Sequence, residues 1–321
     1  MKKAALIIAC LLTFFYLQAE DLSIKKDSAA FEIKYSREAF PGDAQFVRMT
    51  VIPLKNKKEA ARTKASLTLL LDGRELSSSD FYRISGNNKK NNYSVTLLAA
   101  IPLSTWWDQK DGWTLKIKCS VCDSADETLE LPMTLLHKEF ISETLWLDGK
   151  NTSIKTDVSP RRQQDIEKLN AILAATDKTA VWQTAPFKAP VSSNRRTSFF
   201  ADRRIYKYNT GGSTTGLHHG IDYGVPEGTE VHACARGKVV LAEDRVSTGY
   251  SVVIEHLPGL YSLYYHMSRL DVKEGDITEE GQLIGLSGYT GLATGPHLHW
   301  EMRLYMQSVS PDYFLGNFTF E

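Results

Sequence analysis

Five of the eight histidines in the chain fall in three short motifs whose residue types and spacing could do chemistry. The first motif has the form HxxxD and runs from His218 to Asp222. The second is a lone histidine, His266, which follows two tyrosines, and the third has the form HxH, with His297 and His299. Imidazole nitrogens and carboxylate oxygens are common ligands of zinc, so the motifs indicate a metal site.

The alternation of side chains along a β-strand predicts which residues of the first motif can act together. Residues two and four apart on a strand point to the same face. His218, Gly220 and Asp222 should therefore share a face, with Gly220 leaving space between the two ligand-type side chains. His219 should point the other way.

The same rule applies to the other two motifs. His297 and His299 should share a face across the residue between them, and His266 should lie on the same face as Tyr264. Three strands could then direct one set of side chains into a common groove, namely His218, Asp222, His266, His297 and His299.

Two imidazoles and one carboxylate form a typical catalytic zinc site, in which water takes the fourth position. Zinc lowers the pKa of such a water to about 7 and polarises a carbonyl oxygen. Two additional histidines could take the proton from the water and stabilise the developing oxyanion. This combination predicts metal-assisted hydrolysis of an amide.

The other histidines and the cysteines give no comparable pattern. Three histidines outside the motifs are interpreted as structural: His137, His232 and His256. Cys119 and Cys122 have the spacing of half a zinc ribbon, but the chain has no second such pair, which excludes a structural site with four cysteines. This pair could form a local disulfide or remain as two thiols. Cys234 lies in an apolar run and is interpreted as a small buried residue.

The overall composition is that of an ordinary globular protein. A length of 321 residues suffices for about two domains. Apolar residues make up 42% and charged residues 24% of the chain, which are usual fractions for a soluble protein. The formal net charge is zero, so electrostatics give no case for binding nucleic acid or an anionic surface.

Residues 1–19 have the layout of a secretory signal peptide. Two lysines precede an apolar run over residues 4–17. The residues that end at Ala19 are small or of a type tolerated before a signal-peptide cleavage site. The run is shorter than the ~20 residues that a membrane span needs. We therefore predict cleavage near Ala19 and an exported protein. A lipoprotein signal with Cys10 as the lipidated residue is the alternative.

Residues 20–148 are predicted to form an immunoglobulin-like β-sandwich. Short runs of alternating polar and apolar residues, such as 31–35, 45–51 and 113–119, are separated by turn residues. Nothing in this segment indicates catalysis. Three tryptophans could form a carbohydrate or partner surface, but core and edge packing is the favoured interpretation for Trp106, Trp107 and Trp113.

Residues 149–184 are predicted to be a linker that contains one amphipathic helix. The stretch 148–158 is polar and rich in turn residues. Ser159 followed by Pro160 is a helix-start signal, and apolar residues at helical spacing extend the prediction to residue 175. Arg161 and Arg162 stand at the N-terminus of this helix, where positive charges are unfavourable, and the sequence does not explain why they are there.

Residues 185–321 are predicted to form a compact antiparallel sheet that could close toward a barrel. Short apolar runs alternate with glycine and proline turns, and no helical pattern of useful length occurs. All three histidine motifs fall in this second domain.

With these motifs assembled, residues from about 185 to 314 resemble the lysostaphin-type, LytM-like zinc endopeptidases that cut peptidoglycan. The motifs occur in the family's order and with its glycines, as His218-His219-Gly220-Ile221-Asp222, Leu263-Tyr264-Tyr265-His266-Met267-Ser268 and Gly295-Pro296-His297-Leu298-His299-Trp300-Glu301. The position of Ala201 is commonly glycine in the family, a difference that concerns a turn.

The resemblance implies a role for each candidate site residue. His218, Asp222 and His299 would hold one Zn²⁺ per chain, in the groove of an antiparallel β-sheet. His266 and His297 would do the chemistry, with His297 favoured as the group that takes the proton and His266 as the group at the oxyanion.

The leading hypothesis is thus an exported zinc endopeptidase of the periplasm, the cell envelope or the extracellular space that acts on peptidoglycan peptides. The alternative is a non-catalytic wall-binding or hydrolase-regulating protein that retains the zinc site. The first domain could in addition bind a wall or protein ligand.

Overall fold

A computed structural model describes residues 19–55, 60, 62–89 and 92–316. The predicted signal segment before Ala19, including Cys10, lies outside the described residues. The elements in chain order are β1 (Ala19–Lys25), β2 (Ala29–Ser36), β3 (Glu38–Ala39), β4 (Ala44–Pro53), β5 (Lys64–Leu71), β6 (Arg74–Asp80), β7 (Tyr82–Lys89), β8 (Asn92–Pro102), β9 (Trp113–Ser120), β10 (Asp126–Pro132), β11 (Thr134–Leu135), β12 (Ser142–Leu147), α1 (Gly149–Thr156), α2 (Pro160–Ala174), β13 (Arg196–Ser198), β14 (Arg203–Tyr208), β15 (Ser213–Leu217), β16 (Gly220–Tyr223), β17 (Glu230–His232), β18 (Gly237–Arg245), β19 (Gly249–Leu257), β20 (Leu260–Leu270), β21 (Ile277–Thr278), β22 (Leu283–Ser287), β23 (Leu298–Leu304), β24 (Gln307–Val309) and α3 (Pro311–Leu315). The prediction of a mainly β protein is confirmed.

The N-terminal half is a sandwich of two antiparallel sheets. Their strand orders are β1-β2-β4-β8-β7 and β10-β9-β5-β6. Along β9 every second residue is buried, from Trp113 to Cys119, while the lysines between them face outward. Apolar residues from both sheets, among them Phe31, Val47 and Leu69, share one core. The immunoglobulin-like character of this sandwich stays a prediction.

The cysteines and tryptophans of the sandwich mostly support its packing. Cys119 and Cys122 are buried thiols rather than halves of a disulfide. Trp113 is buried and contacts Trp107, with ring centroids 5.2 Å apart. Trp106 differs from the packing interpretation, because it is 74% exposed and carries the guanidinium of Arg203 over its ring at 3.7 Å.

Two helices follow the sandwich, where the sequence predicted only one. Helix α2 begins as predicted, with the Ser159 side chain accepting a hydrogen bond from the backbone N–H of Arg162. Helix α1 occupies the stretch that was interpreted as a polar linker, and Asp148 caps it by accepting from the N–H of Asn151. Periodicity could not reveal α1, because its sequence, GKNTSIKT, carries only one apolar residue.

The structure also explains the two arginines at the start of α2. Arg161 forms an ion pair with Asp244 at 2.8 Å, across the gap between the helix and β18. Arg162 donates to the carbonyl of Asp157 and, at 3.2 Å, to the hydroxyl of Ser247. Arg161 therefore ties the helix to β18 and Arg162 ties it to the loop that follows β18, which offsets the unfavourable position of the two cations.

The C-terminal half is built on one large sheet with the order β13-β16-β23-β20-β19-β18-β21. One face of this sheet packs on a core that contains Tyr264 and Trp300, and this core continues into Phe46 and Tyr82 of the sandwich. The opposite face is partly covered by α2, whose Leu173 lies in a smaller apolar cluster. A separate sheet, β12-β14-β15, stands beside it, with β12 parallel to β14.

Within the described residues, none of the helices is both long and apolar enough to cross a bilayer.

Packing between the two halves should be essential for stability. Phe314 of α3 is fully buried and contacts Phe46 of β4 edge to face and Phe187 by stacking, at centroid distances of 6.3 and 5.4 Å. We predict that Phe314→Ala lowers the free energy of unfolding by about 3–5 kcal/mol, through lost burial and a cavity. Urea unfolding measures this, with Ile277→Ala, at a 41% exposed position, as the control. A loss below about 1 kcal/mol for Phe314→Ala would contradict the prediction.

Candidate metal centre

Three side chains from two distant parts of the sequence converge on one point. Nε2 of His218 lies 3.0 Å from Oδ1 of Asp222 and 3.0 Å from Nδ1 of His299. The third distance, from Nδ1 of His299 to Oδ1 of Asp222, is 2.8 Å. All three residues are buried. The predicted ligand set is therefore brought together as one compact cluster.

The outer ring nitrogens fix which atoms point at this cluster. Nδ1 of His218 donates to the carbonyl of Phe199 at 2.7 Å, so Nε2 carries the lone pair in the neutral ring. Nε2 of His299 faces the Glu301 carboxylate at 3.5 Å, which leaves Nδ1 for the cluster. Two nitrogen lone pairs and a carboxylate oxygen thus face one another. Such an arrangement requires a positive charge at its centre and fits a divalent cation.

The protonation behaviour of the cluster shows that Asp222 favours a positive charge beside it. Burial opposes a charged His299, but its contacts with Asp222 and Glu301 raise the pKa of the ring to about 9. Burial likewise opposes ionisation of Asp222, but hydrogen bonds from His218 and His299 hold its pKa well below the usual range. The pocket therefore stabilises the carboxylate anion together with a neighbouring cation.

Strand pairing positions two of the three groups. Asp222 on β16 lies directly opposite His299 on β23, and His299 lies opposite Tyr265 on β20. Side chains in register on adjacent strands stand side by side on one face of a sheet. The Tyr265 ring stacks on His299 with a centroid distance of 5.4 Å. This row fixes the orientation of the His299 imidazole.

His218 reaches the site differently from the prediction. It lies in the connection between β15 and β16, not on the strand with Asp222. Gly220 also acts by another means, because a Cβ there would lie 2.2 Å from the carbonyl oxygen of Trp300 and 2.9 Å from Nε2 of His299. Glycine is thus required for the close approach of β16 to β23.

A second correction concerns His266. Tyr264 points into the core on the opposite face of the sheet, where its hydroxyl accepts from the N–H of Cys234. A β-bulge changes the alternation, because Val252 pairs with Tyr264 whereas Tyr250 pairs with Met267. His266 has a φ of +61°, a left-handed conformation that is unusual for a residue with a side chain. The bulge places His266 on the same face as His299.

His266 and His297 lie beside the cluster with their rings 4.7 Å apart. Nδ1 of His266 donates to the carbonyl of Thr290 and Nδ1 of His297 to that of Gly295, each at 2.8 Å. In both neutral rings the lone pair is therefore on Nε2. Burial, reinforced by the neighbouring histidines, lowers the pKa of His266 to about 3, so this ring is neutral near pH 7.

The remaining histidines lie elsewhere, as predicted. His219 turns away from the cluster and contacts the hydroxyl of Ser308 at 3.0 Å. His256 is buried, with hydrogen bonds to Ser262 and to the carbonyl of Arg236. His232 is near Glu230 and His137 near Asp108, both outside the cleft of the site.

The cluster lies in a cleft of about 780 Å³ whose walls include residues that the sequence analysis missed. Strand β12 contributes Glu143, Leu145 and Leu147, and helix α1 contributes Lys155. The outward residues of β12 alternate with these, as expected for a strand with one covered face. That alternation was the available signal, but parallel pairing of β12 with β14 is not readable from the sequence.

Glu143 and Arg204 form an outer support for the ligand set. Arg204 donates to Glu143 at 2.7 Å and to Oδ2 of Asp222 at 3.2 Å. The guanidinium thereby leaves Oδ1 directed at the two histidines. Hydrogen-bond partners of this kind orient metal ligands.

We predict that Arg204→Gln weakens metal binding roughly 10- to 100-fold, because Asp222 loses the partner of its second oxygen. Competition with a fluorescent chelator measures the dissociation constant. The control Arg236→Gln removes an exposed arginine that pairs with Glu279, and it should bind metal like the parent. Unchanged affinity in Arg204→Gln would show that this support is dispensable.

Comparison with known proteins relates one segment to a family, and this segment contains the three ligand-type residues together with His266 and His297. Residues 216–311 match the model of peptidase family M23. The chain is 43% identical over 95 residues to the DD-carboxypeptidase/endopeptidase Mpg of Neisseria meningitidis, a match that covers 30% of this chain and 22% of that protein. It is 39% identical over 121 residues to the peptidoglycan DD-endopeptidase ShyA of Vibrio cholerae, covering 37% and 27% respectively. The match thus spans about a quarter of the length of these relatives.

The fold has a counterpart over most of the chain. A crystal structure from Pseudomonas aeruginosa, described as a candidate M23 peptidase, superposes with a TM-score of 0.53. It shares 20% sequence identity, and the superposition covers 87% of this chain and 96% of that one. Together with the motif order and the clustered ligand residues, these matches show that residues 216–311 of the chain form a peptidase M23 domain of the lysostaphin type.

Proposed function

We propose that the protein is a zinc-dependent endopeptidase that hydrolyses peptide bonds of peptidoglycan, in the stem or the cross-bridge. The observation that carries this proposal is the placement of His266 and His297 beside the three ligand-type residues. A purely structural zinc site does not need two further histidines. The names of the relatives from Neisseria and Vibrio support peptidoglycan as the substrate.

The donor set fits one Zn²⁺ held by His218, Asp222 and His299. Two imidazoles and a carboxylate are a usual set for a catalytic zinc, and each has an outer hydrogen-bond partner. When bound, zinc supplies Lewis acidity, which makes water a nucleophile near neutral pH and polarises a carbonyl.

The two remaining histidines can handle the proton and the oxyanion. Nε2 of His297 accepts a proton from the attacking water, because its Nδ1–H is already donated to Gly295, and the same nitrogen then transfers that proton to the leaving amine. Burial and the neighbouring histidines lower the pKa of His266 to about 3, which makes this ring a weak base. His266 therefore keeps the role favoured from the sequence, beside the developing oxyanion.

Peptidoglycan as substrate also places the protein outside the cytoplasm, in the periplasm or the cell envelope. The division into a signal segment 1–19 that is removed, an immunoglobulin-like β-sandwich domain 20–148, a linker 149–184 with an amphipathic helix and a zinc peptidase domain 185–321 is part of this proposal. The proposal also includes a wall or protein ligand of the sandwich.

We predict that the purified protein releases peptide fragments from isolated sacculi, that a chelator stops the release, and that added zinc restores it. Chromatography with mass-spectrometric readout follows the fragments. Continued release in the presence of excess chelator would contradict a metal-dependent reaction. Binding to sacculi without any release would favour the non-catalytic alternative.

A second prediction separates chemistry from metal binding. His266→Ala and His297→Ala should each lower the turnover number by roughly 10²–10⁴-fold, because each removes a proton-transfer or oxyanion group. Both should retain one zinc per chain, as judged by elemental analysis. The control His219→Ala removes a histidine outside the cluster and should leave the rate nearly unchanged. If either variant digests sacculi as fast as the parent, the role assigned to that histidine is wrong.

A further inference from the structure

Helix α1 directs one basic side chain into the metal cleft. Lys155 lies in the last turn of α1 and lines the cleft together with the ligand residues. Its ammonium group stands 4.0 Å from the centroid of the Tyr206 ring, a cation–π contact. Tyr206 is itself buried and backs onto Gly216, where a Cβ would lie 2.9 Å from the ring. The ammonium group is therefore held on a rigid aromatic surface.

The surroundings of this ammonium group are those of an anion site. Among the residues that the structure describes, no carboxylate lies within ion-pair distance of Lys155. Two cations, Arg162 and Arg204, act on it. Burial, followed by these two arginines, lowers the pKa of Lys155.

Two other partly buried cations of this half of the protein have a carboxylate partner, which Lys155 lacks among the described residues. Arg204 is paired with Glu143 at 2.7 Å, and Arg196 with Asp312 at 2.6 Å. A half-buried ammonium without an acidic partner is costly, because desolvation is not offset by a nearby negative charge. A ligand that carries the missing negative charge would offset this cost.

We propose that Lys155 is a substrate-binding residue that pairs with a free carboxylate of the peptide in the cleft. Resting on the proposed function, this inference adds a preference for acidic peptides, in which a carboxylate flanks the scissile bond. The segment from β12 to α1 is then a wall of the substrate site, although it precedes the M23 domain in sequence. No step of the hydrolysis itself involves Lys155.

The test uses the zinc-loaded full chain and a set of synthetic stem pentapeptides. One peptide has all carboxylates free, and in each of the others a single carboxylate is amidated. For the parent, amidation of the carboxylate that contacts Lys155 should raise KM roughly tenfold relative to the free acid, because the peptide loses a charge-assisted contact. Lys155→Met should raise KM by a similar factor for the free acid and by little for that amide. The turnover number should change by less than about twofold.

Two further variants control for charge and for helix stability. Lys155→Arg keeps the cation and should recover most of the preference for the free acid. Lys150→Met removes an exposed lysine of the same helix, which lies over the ring of Tyr289 and does not line the cleft, and should behave like the parent. Circular dichroism verifies that each variant is folded.

Binding is measured separately by calorimetry in a His297→Ala background, which stops turnover. If the parent cleaves none of the peptides, the proposed function fails. The inference about Lys155 is still tested in that case, because peptide binding can be compared with and without Lys155→Met in the His297→Ala background. Equal weakening of the free acid and every amide by Lys155→Met would overturn it. So would a parent that binds all peptides alike, or that binds none.

Discussion

The pairing of Asp222 with His299 across adjacent strands is the constraint on which the rest of the site depends. It places a carboxylate and an imidazole side by side on β16 and β23, and the same register puts Tyr265 against the imidazole from β20. The strands can approach this closely because Gly220 has no side chain. A slip of one residue would turn each of these groups to the opposite face. The core around Trp300 on that face, which is continuous with the sandwich, stabilises the correct register.

Around this row, each catalytic candidate is positioned by a contact outside the metal set. The carbonyls of Phe199, Thr290 and Gly295 each accept from one histidine, which sets the tautomer of His218, His266 and His297. The bulge in β20 holds His266 in a left-handed conformation so that it faces the cluster. Strain of this kind, at about 1–3 kcal/mol per residue, persists only where the surroundings enforce it. Here the surroundings are two well-packed strands on either side of β20.

The sequence was sufficient for the composition of the site but not for its geometry. The motifs HxxxD and HxH predicted all three ligand-type residues. Strand alternation does not explain why His218 rather than His219 faces the cluster, because both residues lie in the connection between β15 and β16. Alternation failed at His266, because a bulge depends on pairing between distant strands and leaves no mark in the local pattern. Helical periodicity likewise did not reveal α1 or the position of Lys155 on it, because this helix has too few apolar residues to show a period. The left-handed turn at Ala201, with a φ of +65°, agrees with a family position that is commonly glycine.

The most direct test of this account is anomalous diffraction at the zinc absorption edge from crystals of the full chain grown with zinc. The account predicts one strong peak per chain, at about 2.0–2.2 Å from Nε2 of His218, Oδ1 of Asp222 and Nδ1 of His299. His266 and His297 should lie beside the peak without coordinating it. A peak coordinated by His266 or His297, or the absence of any peak among the three ligand-type residues, would contradict the central claim.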